Sequence, residues 1–252
     1  MSSVQHTHQA AKTLRVATTL DAFLGKPRQA TRLPAPLDML IATILSQNTN
    51  DKNSHRAYTN LRRRFPRWED VANAPLRSLI AAIKVGGMAK QKSVRIQQTL
   101  RTIKNQYGRF DLSMLKRQSD DAIIDELTRL NGVGKKTAAC VLLFSLGRGV
   151  FPVDTHVHRI CNRLGLVATP TPEKTFDAMK HLVPKGRGYS FHTNLIRFGR
   201  KICRSANPAC DICPLYDECV FEGKRRLTTA VRRPRSNADH DFMLLDNVHV
   251  QP

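Results

Sequence analysis

Three short stretches of this chain carry residue types that do chemistry. Cys203, Cys210, Cys213 and Cys219 follow the spacing C-x6-C-x2-C-x5-C. Four thiolates this close suit tetrahedral zinc or a four-iron cluster, and the spacing alone leaves both open. The residues between them include Arg204, Pro208 and Pro214 and little that is apolar, so the loop needs a metal to hold it. Cys140 and Cys161 fall in apolar helical stretches and are expected in the core. No basic-then-apolar signal segment opens the chain, so a metal site in a reducing compartment fits better than a disulfide framework.

The second stretch, Leu130-Asn131-Gly132-Val133-Gly134-Lys135-Lys136-Thr137-Ala138, joins two helical patterns through a Gly-x-Gly turn. Its glycines let the backbone turn sharply and approach a ligand closely. The turn opens a helix whose first amides are unpaired, and such an end binds phosphate. Val133 packs the hairpin from inside. Lys136 lies near the positive end of this helix, where the dipole and neighbouring Lys135 both disfavour the ammonium form. A lysine with a lowered pKa is a usable amine nucleophile, although most lysines at such positions only meet phosphate.

The third stretch, Phe151-Pro152-Val153-Asp154-Thr155-His156-Val157-His158-Arg159, is a turn leading into a helix. Asp154 is placed as an N-cap. It is also a carboxylate able to steady a developing cation or activate a nucleophile, and the two roles are compatible, because capping holds it rigid. For His156 and His158, packing or DNA contact is expected ahead of roles as ligands or bases.

The elements that must position these residues read as helices. Leu37, Leu40, Ile41, Ile44 and Leu45 recur near a period of 3.6. Further helical patterns cover 52–64, 75–84, 89–106 and 119–130, then run from Lys135 through Leu143, and from Tyr189 to Ile202. Thr171-Pro172-Glu173 starts another, with a capping hydroxyl and a first-turn proline. Alternating strands are absent. Residues 1–12, with His6 and His8, read as a loose tail. Residues 223–252, with Arg225, Arg226, Arg232, Arg233 and Arg235, read as a mobile basic tail that either brushes DNA or is simply solvated.

With 252 residues, 41% of them hydrophobic, the chain can bury a sizeable core. Its 41 Lys and Arg against 20 Asp and Glu give a net charge of +21, spread along the chain, which implies a polyanionic partner such as nucleic acid. No apolar run is long enough to span a bilayer.

In order and spacing, the hairpin, the Val153-Asp154-Thr155-His156 turn and the cysteine loop resemble the endonuclease III family of the helix–hairpin–helix glycosylase superfamily, from about Leu37 to Cys219. The resemblance implies an all-α fold of two helical domains with a DNA-binding cleft between them. A six-helix domain ending in the hairpin would cover 37–150. An N-terminal helix over 13–36 would join 151–222 in a second domain carrying a [4Fe–4S] loop. It implies that Lys136 is the nucleophile, Asp154 the essential aspartate, and the four cysteines the cluster ligands. It also implies DNA contacts by Gly132, Val133, Gly134, Lys135 and Thr137, with Lys201 and Arg204 supplying charge beside the cluster.

The implied activity is base excision repair of double-stranded DNA: release of damaged, by family expectation oxidised, pyrimidines from a flipped nucleotide, then strand cutting at the abasic site by β-elimination. A soluble monomer acting at the nucleoid in the cytoplasm is expected. Ser46-Gln47-Asn48-Thr49 stands where the family has the loop that fills the gap left by the flipped base. The usual glutamine aligns with Asn48, and Gln47 lies one residue earlier, so either is a candidate. Met88 is either a wedge between bases or a buried core residue. Asn131 replaces a common proline. The alternatives are a monofunctional mismatch or adenine glycosylase, which typically lacks a lysine at position 136, and a non-catalytic DNA-binding iron–sulfur or zinc protein.

Overall fold

The computed structural model describes residues 3–225, and every regular element among them is helical. The arginine-rich segment from Arg226 onward lies outside the described residues. No described helix is long and apolar enough to cross a membrane. The described residues divide into two compact units: Ala30 to Arg148 forms one, and residues 3–29 together with 149–225 form the other.

The chain opens with α1 (Ser3–Leu24), so residues 3–12, expected as a loose tail, are helical. The reason is a buried stripe whose first members are polar and invisible to an apolar pattern. Gln9 is half-buried and Thr13 is buried, its hydroxyl donating to the Gln9 carbonyl at 2.8 Å; Val16, Ala17 and Leu20 continue the stripe. Beyond Leu24, residues 25–35 carry no regular element.

In the Ala30–Arg148 unit, α2 (Pro36–Ser46) is the central element. Proline pre-sets its first turn, and apolar residues on all sides leave Leu40, Ile41, Ile44 and Leu45 without exposure. Around it come α3 (Asp51–Arg64), α4 (Trp68–Asn73), α5 (Leu76–Ile83), α6 (Ala89–Tyr107), α7 (Asp120–Thr128) and α8 (Lys135–Phe144). α2 packs on α3, α6 and α8; α3 packs on α5, α6 on α4 and α5, and α7 on α8. α4 was not expected, being too short at six residues for a periodicity to show.

The other unit places α1 against α11 (Gly188–Lys201), and α11 against α9 (Thr155–Arg163), which also carries α10 (Pro172–Met179). Phe191 and Phe198 are among its largest buried side chains, and Phe151 stacks on Phe191 with ring centroids 5.3 Å apart. The Asn194 amide joins α11 to α1, donating to the Asp21 carboxylate at 2.9 Å and to the Gly25 carbonyl at 3.0 Å. Asn50, Ser119, Asp154 and Thr171 each cap the helix that follows with a side-chain oxygen, as their residue types dictate.

Candidate active site

The hairpin between α7 and α8 presents its backbone outward. Gly132, with φ 76°, and Gly134 are exposed, while Val133 between them is buried, as its hairpin role requires. Gly134 caps α8 with no side-chain bond, so no side chain of the cap claims the first amides, which belong to Lys135, Lys136 and Thr137. This helix end is built to receive an anion. Lys135 and Lys136 are half-buried on its first turn. Thr137, expected at DNA, is buried, because it already faces the core side of α8; only its backbone remains for a phosphate. Asn131, where proline was the common residue, donates to Gln98 on α6 at 3.2 Å.

Glycine suits position 132 for two reasons. Its φ is left-handed, and an added Cβ would stand 2.0 Å from Nε of Arg95. Arg95 lies along the turn because Nη1 donates to Oε1 of Gln47 at 2.6 Å, and Nε2 of Gln47 donates to the Gly132 carbonyl at 3.3 Å. Gln47 therefore serves as a latch between the loop after α2 and the hairpin. Its neighbour Asn48 is exposed, in a left-handed conformation with φ 52°, and its amide approaches Sδ of Met88 at 3.7 Å. Met88 is 48% exposed, which overturns the core reading of this residue. It too is left-handed, with φ 49°, at the cap of α6.

A buried lysine that the sequence did not single out fixes both loops. Lys92, 2% exposed, donates from Nζ to the Leu45 carbonyl at 2.7 Å and to the Gly86 carbonyl at 2.8 Å. The available signal was its register: Lys92 stands on the buried stripe of α6 with Ile96, Leu100 and Ile103.

In the other unit, Asp154 is the cap of α9 and accepts the Val157 amide on Oδ1 at 2.8 Å. The two histidines are engaged within the fold. Nδ1 of His158 bonds the Thr175 hydroxyl at 2.7 Å, and Nδ1 of His156 faces Nη2 of Arg159 at 3.1 Å. Burial lowers the His156 pKa, with Asp154 opposing that trend.

Further along α9, two arginines that sequence reading passed over hold the cysteine loop. Arg159 donates from Nη2 to the Cys203 carbonyl at 2.8 Å. Arg163 donates to the carbonyls of Arg204 at 2.7 Å and Ser205 at 3.0 Å, and its guanidinium lies 4.3 Å from the Phe221 ring centroid. Arg204 turns into its own loop, Nη2 donating to the Asn207 carbonyl at 2.7 Å, while Lys201 ends α11 half-buried.

Cys203, Cys210, Cys213 and Cys219 line one apolar cavity with Phe198, Ile202 and Phe221. Burial foremost pushes the Cys213 thiol up to about 11, and the other three cysteines push in the same direction. Among the described residues, no group of three or more His, Cys, Asp or Glu is arranged around a single metal ion. Four cysteine thiols around one cavity are a donor set that either a zinc ion or a four-iron cluster can take.

A glycine turn opening a lysine-bearing helix, in a strongly basic chain whose described elements are all helical, marks the helix–hairpin–helix class. Residues 41–185, more than half of the chain, match the model of the HhH-GPD superfamily base excision DNA repair proteins. Endonuclease III of Thermotoga maritima is 39% identical over 190 residues, covering 75% of this chain and 85% of its own. Among solved structures, a non-covalent endonuclease III–DNA complex superposes with a TM-score of 0.73 at 26% identity, over 90% of this chain and 99% of that one. A thermostable thymine-DNA glycosylase follows with a TM-score of 0.71 at 25% identity, over 85% and 98%. The chain belongs to the HhH-GPD superfamily of base excision DNA repair proteins and, within it, to the endonuclease III family.

Burial pushes Lys92 from 10.5 down to about 8, so the folded state holds this proton less tightly than the unfolded chain does. Between those values the unfolded chain binds the extra proton, and stability rises with pH. The melting temperature of the wild type is therefore expected to gain on that of Lys92→Met as pH climbs from about 8 towards 10.5, and to hold a constant offset below that window. Thermal melts of both proteins across this range check it, and parallel curves throughout would contradict it.

Proposed function

We propose that this base excision repair protein is a bifunctional DNA glycosylase and abasic-site lyase that removes oxidised pyrimidines from double-stranded DNA. The observation that carries the reading is Lys136 on the first turn of α8, directly after a glycine turn whose helix end has no side-chain cap. The phosphate of a flipped nucleotide would accept bonds from the α8 amides, holding the sugar near this lysine. The Lys136 amine attacks C1′, the C1′–N bond breaks, and the base leaves with that electron pair and a proton. Ring opening gives an iminium. Loss of a proton from C2′ then breaks the C3′–O bond and releases the 3′-side phosphate.

In this reading Asp154 is the essential carboxylate that steadies the cationic sugar, with its Oδ1 bond to the Val157 amide fixing the carboxylate's orientation. Cys203, Cys210, Cys213 and Cys219 would hold a [4Fe–4S] cluster, which supplies a structural cross-link to a loop poor in apolar contacts. The likeness to a thymine-DNA glycosylase supports a second reading, monofunctional removal of a mismatched base without strand cutting.

Borohydride reduction of the protein on a thymine glycol duplex, beside an abasic duplex, separates the two. A covalent adduct is expected on both and is expected to vanish in Lys136→Ala while DNA binding persists. An adduct on the abasic duplex alone would move the substrate to other bases, and none on either would favour the monofunctional reading. Asp154→Asn is expected to slow base release by roughly 100-fold or more in single-turnover assays while changing DNA affinity little, as for loss of a group acting in the transition state. Equal release rates would leave Asp154 as a cap only. The purified protein should be brown and contain iron and acid-labile sulfide in equal amounts. Zinc without sulfide would reassign the cysteines.

A further inference from the structure

Two exposed residues next to the hairpin stand in left-handed backbone, which asparagine tolerates and methionine rarely adopts. Asn48 and Met88 both have left-handed φ, at 52° and 49°. Such positions persist only where the surrounding structure over-determines them. They belong to separate loops, one after α2 and one before α6, yet the Asn48 amide approaches the Met88 sulfur at 3.7 Å. Gly87 between Gly86 and Met88 is also left-handed, at φ 67°. No hydrogen bond between the two loop backbones accounts for this meeting. The element common to both is the Lys92 ammonium, which takes the Leu45 carbonyl three residues before Asn48 and the Gly86 carbonyl two residues before Met88.

We infer that Lys92 is the positioning residue that sets Asn48 and Met88 side by side as one double wedge for the DNA stack, with Gln47 excluded from that role by its latch to Arg95 and Gly132. The inference rests on the DNA-repair reading above and deepens it. Lys92 does not touch DNA in this scheme. From inside the core it delivers two neighbouring tips, one polar and one apolar, fitted to fill the place of an extruded nucleotide and to part the adjoining base step. Burying a lysine is unfavourable unless the fold supplies acceptors in place of water, and here those acceptors are one carbonyl from each loop. Aliphatic replacement would leave both carbonyls in the core without this donor and release each loop from the other.

The test uses the whole protein, saturating a duplex with a tetrahydrofuran abasic analogue opposite 2-aminopurine, whose fluorescence rises as wedge residues unstack it. Lys92→Met, Met88→Ala and the double variant are compared with wild type. Lys92→Met is expected to lower base release from a damaged duplex roughly tenfold, as for a misplaced positioning group, and to lose the 2-aminopurine rise while still binding DNA. Its effect is expected to be largely absent when Met88 is already Ala, because the two act through one wedge. If Lys92→Met melts below the assay temperature, Lys92→Gln, which keeps a donor, serves in its place with a partial loss. A full fluorescence rise in a folded Lys92 variant, or effects that simply add to those of Met88→Ala, would overturn the inference. Absence of any rise with wild type on a duplex that it binds would overturn the wedge and this inference, whereas failure to bind the abasic duplex at all would sink the DNA-repair reading.

Discussion

The loops after α2 and before α6 expose Asn48 and Met88 in fixed left-handed conformations, and one buried ammonium ties the two loops together. Lys92 has almost no contact with water, so its charge is tolerable only against acceptors supplied by the fold. Those acceptors are the last-turn carbonyl of Leu45 and the loop carbonyl of Gly86. A terminal helix carbonyl that lacks an intrahelical partner normally turns to solvent. Here it is turned inward, and the chain beyond it must leave α2 in a fixed direction. The packing of α2 at the centre of its unit anchors one end of this arrangement, and the apolar stripe of α6 anchors the other.

The same helix also governs the hairpin. Arg95, three residues after Lys92, fills the space that a side chain at position 132 would need, and its bond to Gln47 carries the constraint back to the loop after α2. The phosphate-receiving turn and both loop tips thus share α6 as a common support. Sites mounted on rigid elements keep their geometry better than sites on free loops, and this unit achieves that with loop residues by tying each one to a helix. Glycine at 132 serves the support, because it leaves room for the Arg95 side chain against the turn.

The sequence reveals this architecture unevenly. Helices with an apolar stripe, such as α2 and α6, announce themselves through period 3.6, and Thr171-Pro172 and Asp154 mark helix starts through capping chemistry. The first half of α1 escapes because its buried stripe begins with Gln9 and Thr13, whose polarity mimics a tail. Lys92 escapes because a lysine is counted as surface unless its register is weighed against its type. Gln47 and Asn48 are indistinguishable as adjacent amides in sequence, and only the left-handed turn at Asn48 sends one inward to Arg95 and the other outward to Met88. The cysteine spacing does show four ligands together, but it says nothing of the arginines that brace their loop, which come from a helix some forty residues earlier.

Those arginines give α9 its character. Its nine residues span roughly 13 Å at about 1.5 Å per residue, with Asp154 at the opening and Arg159 and Arg163 on the later turns. Each arginine spends its donors on backbone carbonyls of the cysteine loop, and Arg163 also reaches the Cys203 sulfur at 3.6 Å. Four thiolates in an apolar cavity would repel one another and resist ionisation, as the raised Cys213 pKa shows. Guanidinium groups close by offset that charge without being able to deprotonate themselves. The loop and the carboxylate are therefore fastened to one short rigid rod, and whatever fixes the cysteines also fixes the axis on which Asp154 is mounted.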